Sequence, residues 1–542
     1  MLIRKKAPRA LGLNEPIRHG SHKRPVSRRD FISQGFLTGP AVLAAPSALL
    51  GLLMRPGSAQ ALSGDLDAMR ALNQCNITGG AGKVPFICFD LAGGANLTGS
   101  EVLIGNQGGQ MDFLTTAGYS KLGLPGDMVP NAPNAASPTN NFINAAFGLA
   151  FHSDGAILRG MLERTAPATQ ARTNGAAIAA RSENDTSNNP HNPMYGIFKA
   201  GAKGELLTLI GSRSSDSGGN SIAPMSMIVP EARPTKVDRS SDVTGLVDTG
   251  ELGTLFGTGP QASQDAIAVL EAMTRVSHSK SNLPSFTDAL SAQQARRDAL
   301  QMQYKCGYVK SAYLAETFST PAALNPDLDT DIVGAGGIFT QAEYNADDEF
   351  RKTAAIMKMV VNGYAGAGTV TMGGYDYHGQ GRNTGELRNF RAGRCIGACL
   401  EYAARKNKPL MIYVFSDGSL NANGQVDNTA DGRGKFMWVS DNQSTASSFF
   451  LVFSPTARPV LLDGAGGVAA VRHQQIGYFR ADGSVETASH PGANAVNLLV
   501  ETVILNYMAL HGEQNQFQTI FPQHGLGSAT MRDGLTAFDR IV

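Results

Sequence analysis

The chain has 542 residues, 42% of them hydrophobic, with 46 basic and 45 acidic side chains for a formal net charge of +1. That length suits one large domain with insertions, or two or three smaller ones. The charge is unevenly spread. The first 61 residues hold ten Lys/Arg and two acids, so the remainder carries a net −7 and has no electrostatic reason to bind nucleic acid or anionic lipid.

Residues Ser27-Arg28-Arg29-Asp30-Phe31-Ile32 open the first element. Two arginines behind a basic leader, a moderately apolar stretch over Phe31–Leu53 and the small residues Ala59-Gln60-Ala61 are the layout of a twin-arginine export signal. The reading predicts a signal peptide over 1–61, cleavage after Ala61 and a periplasmic or secreted bacterial protein. It names the twin-arginine machinery as a partner and leaves no stable membrane span after cleavage. Pro40 and Pro46 make Phe31–Leu53 a poor spanning helix. All five cysteines follow the cut. An odd count leaves at least one thiol unpaired, and Cys395 and Cys399, one helical turn apart, read as small buried apolar side chains.

Residues 62–542 alternate strand-like and helix-like segments. Apolar runs lie at Lys83–Phe89, Thr369–Met372, Leu410–Phe415 and Phe449–Phe453. Continuous runs suit strands buried on both faces, as in a parallel sheet. Helical periodicity covers Asp347–Asn362, Glu386–Arg405 and Ala493–Leu510, with a further amphipathic stretch at Thr287–Phe318. The alternation predicts one large α/β domain, with a mostly parallel central sheet flanked by helices. Stretches rich in Gly, Asn, Pro and Ser, about 104–144 and 182–259, predict long loop insertions.

Asp90, Asp376 and Asp417 each follow one of the strand-like runs. Ligands of open α/β sheets bind at the carboxyl ends of the strands, and carboxylates gathered there need a cation, a proton or distance. His378 lies two residues beyond Asp376, and Asp-x-His leaving a strand is a plausible half-site for a divalent ion. His191, in the polar segment Asn188–Pro193, adds a candidate ligand. His152 is a packing or capping histidine or a functional one. Thr98 and Ser100, in the glycine-containing loop after Asp90, offer hydroxyls that a neighbouring metal would ionise for attack on phosphorus or sulfur esters. No Gly-x-Ser-x-Gly elbow, phosphate loop or dinucleotide fingerprint is present. Asp327–Asp331 begins like a calcium-binding loop, but Ile332 and Ile338 occupy the places of its Gly and Glu.

From Val84 to the C-terminal helix, the order of these features resembles domain-of-unknown-function family 1501, a bacterial family that looks related to the alkaline phosphatase and sulfatase superfamily. The resemblance lies in Val84–Leu97, His152–Leu158, Tyr375–Gln380 and Val414–Gly418, with His191 where the family has a Ser-His pair. It implies an alkaline phosphatase-like fold and a metal-dependent hydrolase of phosphate or sulfate esters, with a small-molecule ester as substrate. The implied cofactor is a divalent ion, zinc, manganese or calcium, held by Asp376, His378 and Asp417, with His191 and Asp441 as further candidate ligands and Asp90 as a ligand or a support. Four positions depart from the family pattern: Asn96, Pro190, Leu420 and Asn442, the last where a metal-binding histidine is expected. Either a remote histidine such as His473 or His490 substitutes, or one metal is held, or the chain is a non-catalytic envelope protein on the same fold.

Overall fold

The computed structural model describes residues 82–134, 141–182, 189–246, 321–379, 381–462 and 472–542, plus isolated positions from 265 to 306. The chain divides into two compact units, Ala68–Gly250 with Thr317–Val542, and Met1–Asp67 with Glu251–Glu316. The first unit carries the architecture described below. The export leader and the helix expected at Thr287–Phe318 fall outside the described residues, except for Cys306, which is disulfide-bonded.

Among the described residues the strands are β1 (Phe86–Leu91), β2 (Ile143–Asn144), β3 (Phe151–His152), β4 (Thr173–Ala179), β5 (Leu207–Gly211), β6 (Thr235–Lys236), β7 (Ala365–Met372), β8 (Leu410–Ser416), β9 (Leu420–Val426), β10 (Phe436–Asp441), β11 (Ser447–Phe453) and β12 (Gln475–Ile476). Eight of them form one sheet in the order β12-β4-β11-β8-β1-β7-β5-β6. The fold is α/β with a mostly parallel central sheet: β1 runs parallel to β7 and β8, and β5 parallel to β7 and β6. Every residue of β1, β7, β8 and β11 is buried. That two-sided burial explains why β1, β8 and β11 read as apolar runs, while β7, begun by Ala365-Gly366-Ala367-Gly368, showed only its second half.

β11 is antiparallel to both β8 and β4. Apolar continuity reports burial on two faces and carries no direction, so the sequence could not distinguish this strand from its parallel neighbours. The reversal has a consequence for the site. The chain leaves β8 at the carboxyl edge, forms the β9–β10 hairpin there, and re-enters the sheet from that same edge at Ser447.

The helices are α1 (Ala156–Arg164), α2 (Asp348–Val361), α3 (Arg382–Arg405) and α4 (Val496–Ala509), with shorter turns between. Asp347 caps α2 by accepting from the Glu349 N–H, and Asp348 and Glu349 sit in its first turn, where the helix dipole favours negative charge. Ile356 and Val360 of α2 pack against β7 at Gly368. On the opposite side, Leu499, Val503, Ile504 and Tyr507 of α4 join Phe86, Cys88, Tyr413, Phe415, Phe450 and Val452 in one apolar core. Cys88, Cys395 and Cys399 are free and buried. No helix among the described residues is long and apolar enough to cross a membrane.

Candidate metal centre and acid pair

The register of β1 sets Asp90 beside Thr371 of β7 and Phe415 of β8, so these parallel strands end on one edge. Backbone bonds tie the departing chains together. Ala92 N–H donates to Met372 O at 2.9 Å, Tyr375 N–H to Ala92 O at 3.1 Å, and Ser416 Oγ links Leu91 O to Ala95 N–H.

Beyond β7 the chain alternates. Tyr375 and Tyr377 are buried, while Asp376 and His378 face outward. The chain turns tightly here, Tyr377 N–H donating to Tyr375 O at 3.0 Å, and the two buried tyrosines anchor a strip that displays an aspartate and a histidine. Asp441, at the end of β10, meets them. His378 Nδ1 contacts Asp376 Oδ1 and lies 3.5 Å from Asp441 Oδ1. One ligand atom from each of the three residues falls within 4.8 Å of the others. The ring nitrogen thus faces both carboxylates. Two hard oxygen donors and one imidazole, all half-exposed, suit a divalent cation that keeps open coordination positions. A bound cation there supplies Lewis acidity and makes a bound water acidic.

The hairpin that delivers Asp441 is held from below. The Arg382 guanidinium lies 4.8 Å from the centre of the Trp438 ring, and Lys435 Nζ donates to Glu386 Oε1 at 2.7 Å. Glu386 also accepts from Arg382 at 2.7 Å and Arg159 at 2.9 Å. Lys435, Arg382 and Glu386 are almost fully buried, and buried charges persist only when paired and hydrogen-bonded in this way.

Asp417 does not join the Asp376–His378–Asp441 group among the described residues. It is buried and pairs with Asp90 through Asn220. Asn220 gives its backbone N–H to Asp90 Oδ2 at 2.6 Å and its amide to Asp417 Oδ2 at 3.0 Å. Ser221 N–H adds a second bond to Asp90 at 2.9 Å, and Gly93 N–H donates to Asp417 Oδ1 at 2.7 Å. Burial raises the Asp90 carboxyl above its ordinary range. Burial, then the charge of Asp90, pushes Asp417 up to about 7. Two glycines permit this packing. A Cβ on Gly219 would sit 2.8 Å from Asp90 Oδ2. Gly93, at φ +113°, lies so close to Asp376 that a Cβ there would be 3.0 Å from its backbone nitrogen. Gly93 is therefore the spacer between the acid pair and the outer Asp-His-Asp group.

The other expected residues are placed as follows. His191 is buried against the Phe415 ring, with centroids 5.6 Å apart, and Nε2 is 3.1 Å from Ser182 Oγ. Its Nδ1 has no partner among the described residues, and burial lowers its pKa to about 3, so the ring is neutral. The Thr98 hydroxyl is buried between Thr445 O at 3.0 Å and Ser447 Oγ at 2.7 Å. Ser100 is buried, its hydroxyl unpartnered among the described residues. Neither hydroxyl faces the outer group's solvent-exposed side.

Asn96 bridges Leu420 O and Thr98 N–H. Asn442 caps the turn at Gln443–Thr445 through Ser444. Three other histidines bond backbone carbonyls: His473 at Thr536 O, His490 at Ala179 O, and His152 at Met128 O. Sequence reasoning missed Asn220, Lys435 and Glu386. The run of serines around Asn220 carries no motif, and the ion pairs join distant segments.

No protein-family model matches the chain, and neither does any curated protein or solved structure.

Proposed function

We propose that this chain is an exported, metal-dependent hydrolase of phosphate or sulfate esters on an alkaline phosphatase-like α/β scaffold of the family 1501 kind. The observation that supports this reading best is the convergence of Asp376, His378 and Asp441 at the carboxyl edge of the parallel strands, where open α/β sheets bind ligands. Thr98 is committed to Thr445 and Ser447, so the attacking group in this proposal is water. Asp417, one backbone unit from Asp376 through Gly93, is the carboxyl that exchanges a proton near neutrality. Hydrolysis of 4-nitrophenyl phosphate and 4-nitrophenyl sulfate, assayed after loading with zinc, manganese or calcium, tests the activity. Turnover that a chelator abolishes and one metal restores is the expected result. Metal uptake without turnover of either ester rejects it.

A second reading is a non-catalytic envelope protein on the same scaffold. The burial of both candidate nucleophiles, and the diversion of Asp417 to Asp90, favour it.

The export part of the proposal rests on Ser27–Ile32 and Ala59–Ala61. Changing Arg28 and Arg29 together to lysine is expected to hold the precursor in the cytoplasm, as read by fractionation. Periplasmic recovery of that variant at wild-type yield rules out the twin-arginine route. N-terminal sequencing of exported protein is expected to begin at Leu62.

A further inference from the structure

We propose that the cleft at the carboxyl ends of β5 and β7 recognises an oxyanion group, and that Arg213 holds it. The cleft has a volume of about 720 Å³ and lies along the segment that follows β5, beside Thr371 and Gly373 of the chain leaving β7. Its lining residues are polar, charged or glycine, with Arg213, Ser214, Ser215, Asn220, Lys236 and Lys352 prominent, and none is aromatic or aliphatic. Sites for apolar ligands or stacked rings are built from hydrophobic and aromatic walls, which this one lacks.

The cations on its wall are not equivalent. Lys236 is paired with Asp238 at 2.7 Å, and Lys352 with Glu349 at 2.7 Å while also donating to Thr371 O at 2.8 Å. These pairs cancel the charge of both acids on the cleft. Arg213 forms no ion pair among the described residues, and its Nη1 donates to Asn220 Oδ1 at 2.8 Å. One of its five N–H donors is thus spent on orientation, and the planar fork that matches tetrahedral oxyanions remains available. Ser214 stands on the same turn, which Arg213 N–H closes onto Gly218 O at 3.0 Å and the Ser215 hydroxyl braces by donating to Gly219 O at 2.7 Å.

Asn220 makes this cleft continuous with the site described above. The amide that orients Arg213 also bonds Asp417, whose other oxygen takes the Gly93 N–H beside Asp376. The inference deepens the hydrolase reading by assigning the negatively charged end of the ester to Arg213, and it rests on that reading for turnover but not for binding.

Calorimetric titration of the chelator-treated mature protein with sodium sulfate and with inorganic phosphate tests it. Saturable 1:1 binding of at least one anion is expected, weakened at least tenfold in Arg213→Gln and partly retained in Arg213→Lys. Lys408→Gln is the charge-matched control. Lys408 is exposed just before β8, on the opposite edge of the sheet, and its loss is expected to leave affinity unchanged. Absence of saturable binding, equal affinity in Arg213→Gln, or an equal loss in Lys408→Gln overturns the inference. A divalent-metal titration of the same preparations separates the two ideas. Metal uptake without oxyanion binding removes this inference alone, whereas oxyanion binding without metal uptake removes the hydrolase reading alone.

Discussion

His378→Ala is expected to lower divalent-metal affinity and ester hydrolysis by at least about 100-fold, because it removes the imidazole that faces both Asp376 and Asp441. The side chain is 41% exposed, so thermal stability should stay within about 0.5 kcal/mol of wild type, as for other surface changes. The buried neighbours Tyr375 and Tyr377 hold the strip in place without it. Isothermal titration with manganese and zinc, run beside a melting curve, checks both halves. A variant that binds metal as tightly as wild type removes His378 from the ligand set. A variant that loses metal only because it no longer folds says the strip is held by the histidine itself.

Asp417→Asn is expected to stabilise the metal-free protein at pH 8 and to remove a pH dependence between about pH 4 and 7. In the folded chain the Asp417 carboxyl is pushed up to about 7, from an ordinary value of 3.8, by burial first and by Asp90 second. Across that window the folded state keeps a proton that the unfolded state has already released. Stability therefore falls as pH rises through it, and the cost is fully present above about 7. The usual conversion of such a pKa difference gives up to about 4 kcal/mol.

Asparagine has no proton to lose. It keeps an acceptor for Gly93 N–H but sets a donor against the Asn220 amide, which offsets about 1 kcal/mol of the gain. Denaturant melts of both proteins at pH 4.5 and pH 8, with chelator present, isolate the group. The difference between variant and wild type should grow in the variant's favour on going to pH 8. An equal difference at both pH values contradicts the acid-pair account.

The sequence made some of this legible because burial leaves a mark on composition. β1, β8 and α2 read clearly, the strands as apolar runs and the helix as an amphipathic repeat with an acidic first turn, whereas only Thr369–Met372 of β7 was legible, because its first half is Ala365-Gly366-Ala367-Gly368. β4, Thr-Asn-Gly-Ala-Ala-Ile-Ala, is as deeply buried but built of small residues with low strand preference, so it gave no signal. The Asp-x-His spacing after β7 marked Asp376 and His378 as a half-site, and the structure brings the two side chains together.

Asp441 was one of several candidate ligands, because its position depends on the antiparallel entry of β11, and no local pattern encodes strand direction. Asp417 was expected beside His378. A strand end fixes the edge a side chain reaches, but the direction of its carboxyl is decided by donors elsewhere, here Gly93 and Asn220. Asn220 was invisible for the same reason: its role exists only once β1, β8 and the segment after β5 are assembled.

The central claim is that Asp376, His378 and Asp441 form one metal centre. Direct titration of the purified mature protein with manganese and zinc, after exhaustive chelation, tests it with no assumption about substrate. The account predicts one equivalent bound per chain, lost in the Asp376→Asn, His378→Ala, Asp441→Asn triple variant and retained in Asp90→Asn. No saturable binding by the wild type, or one equivalent still bound by the triple variant, would contradict it.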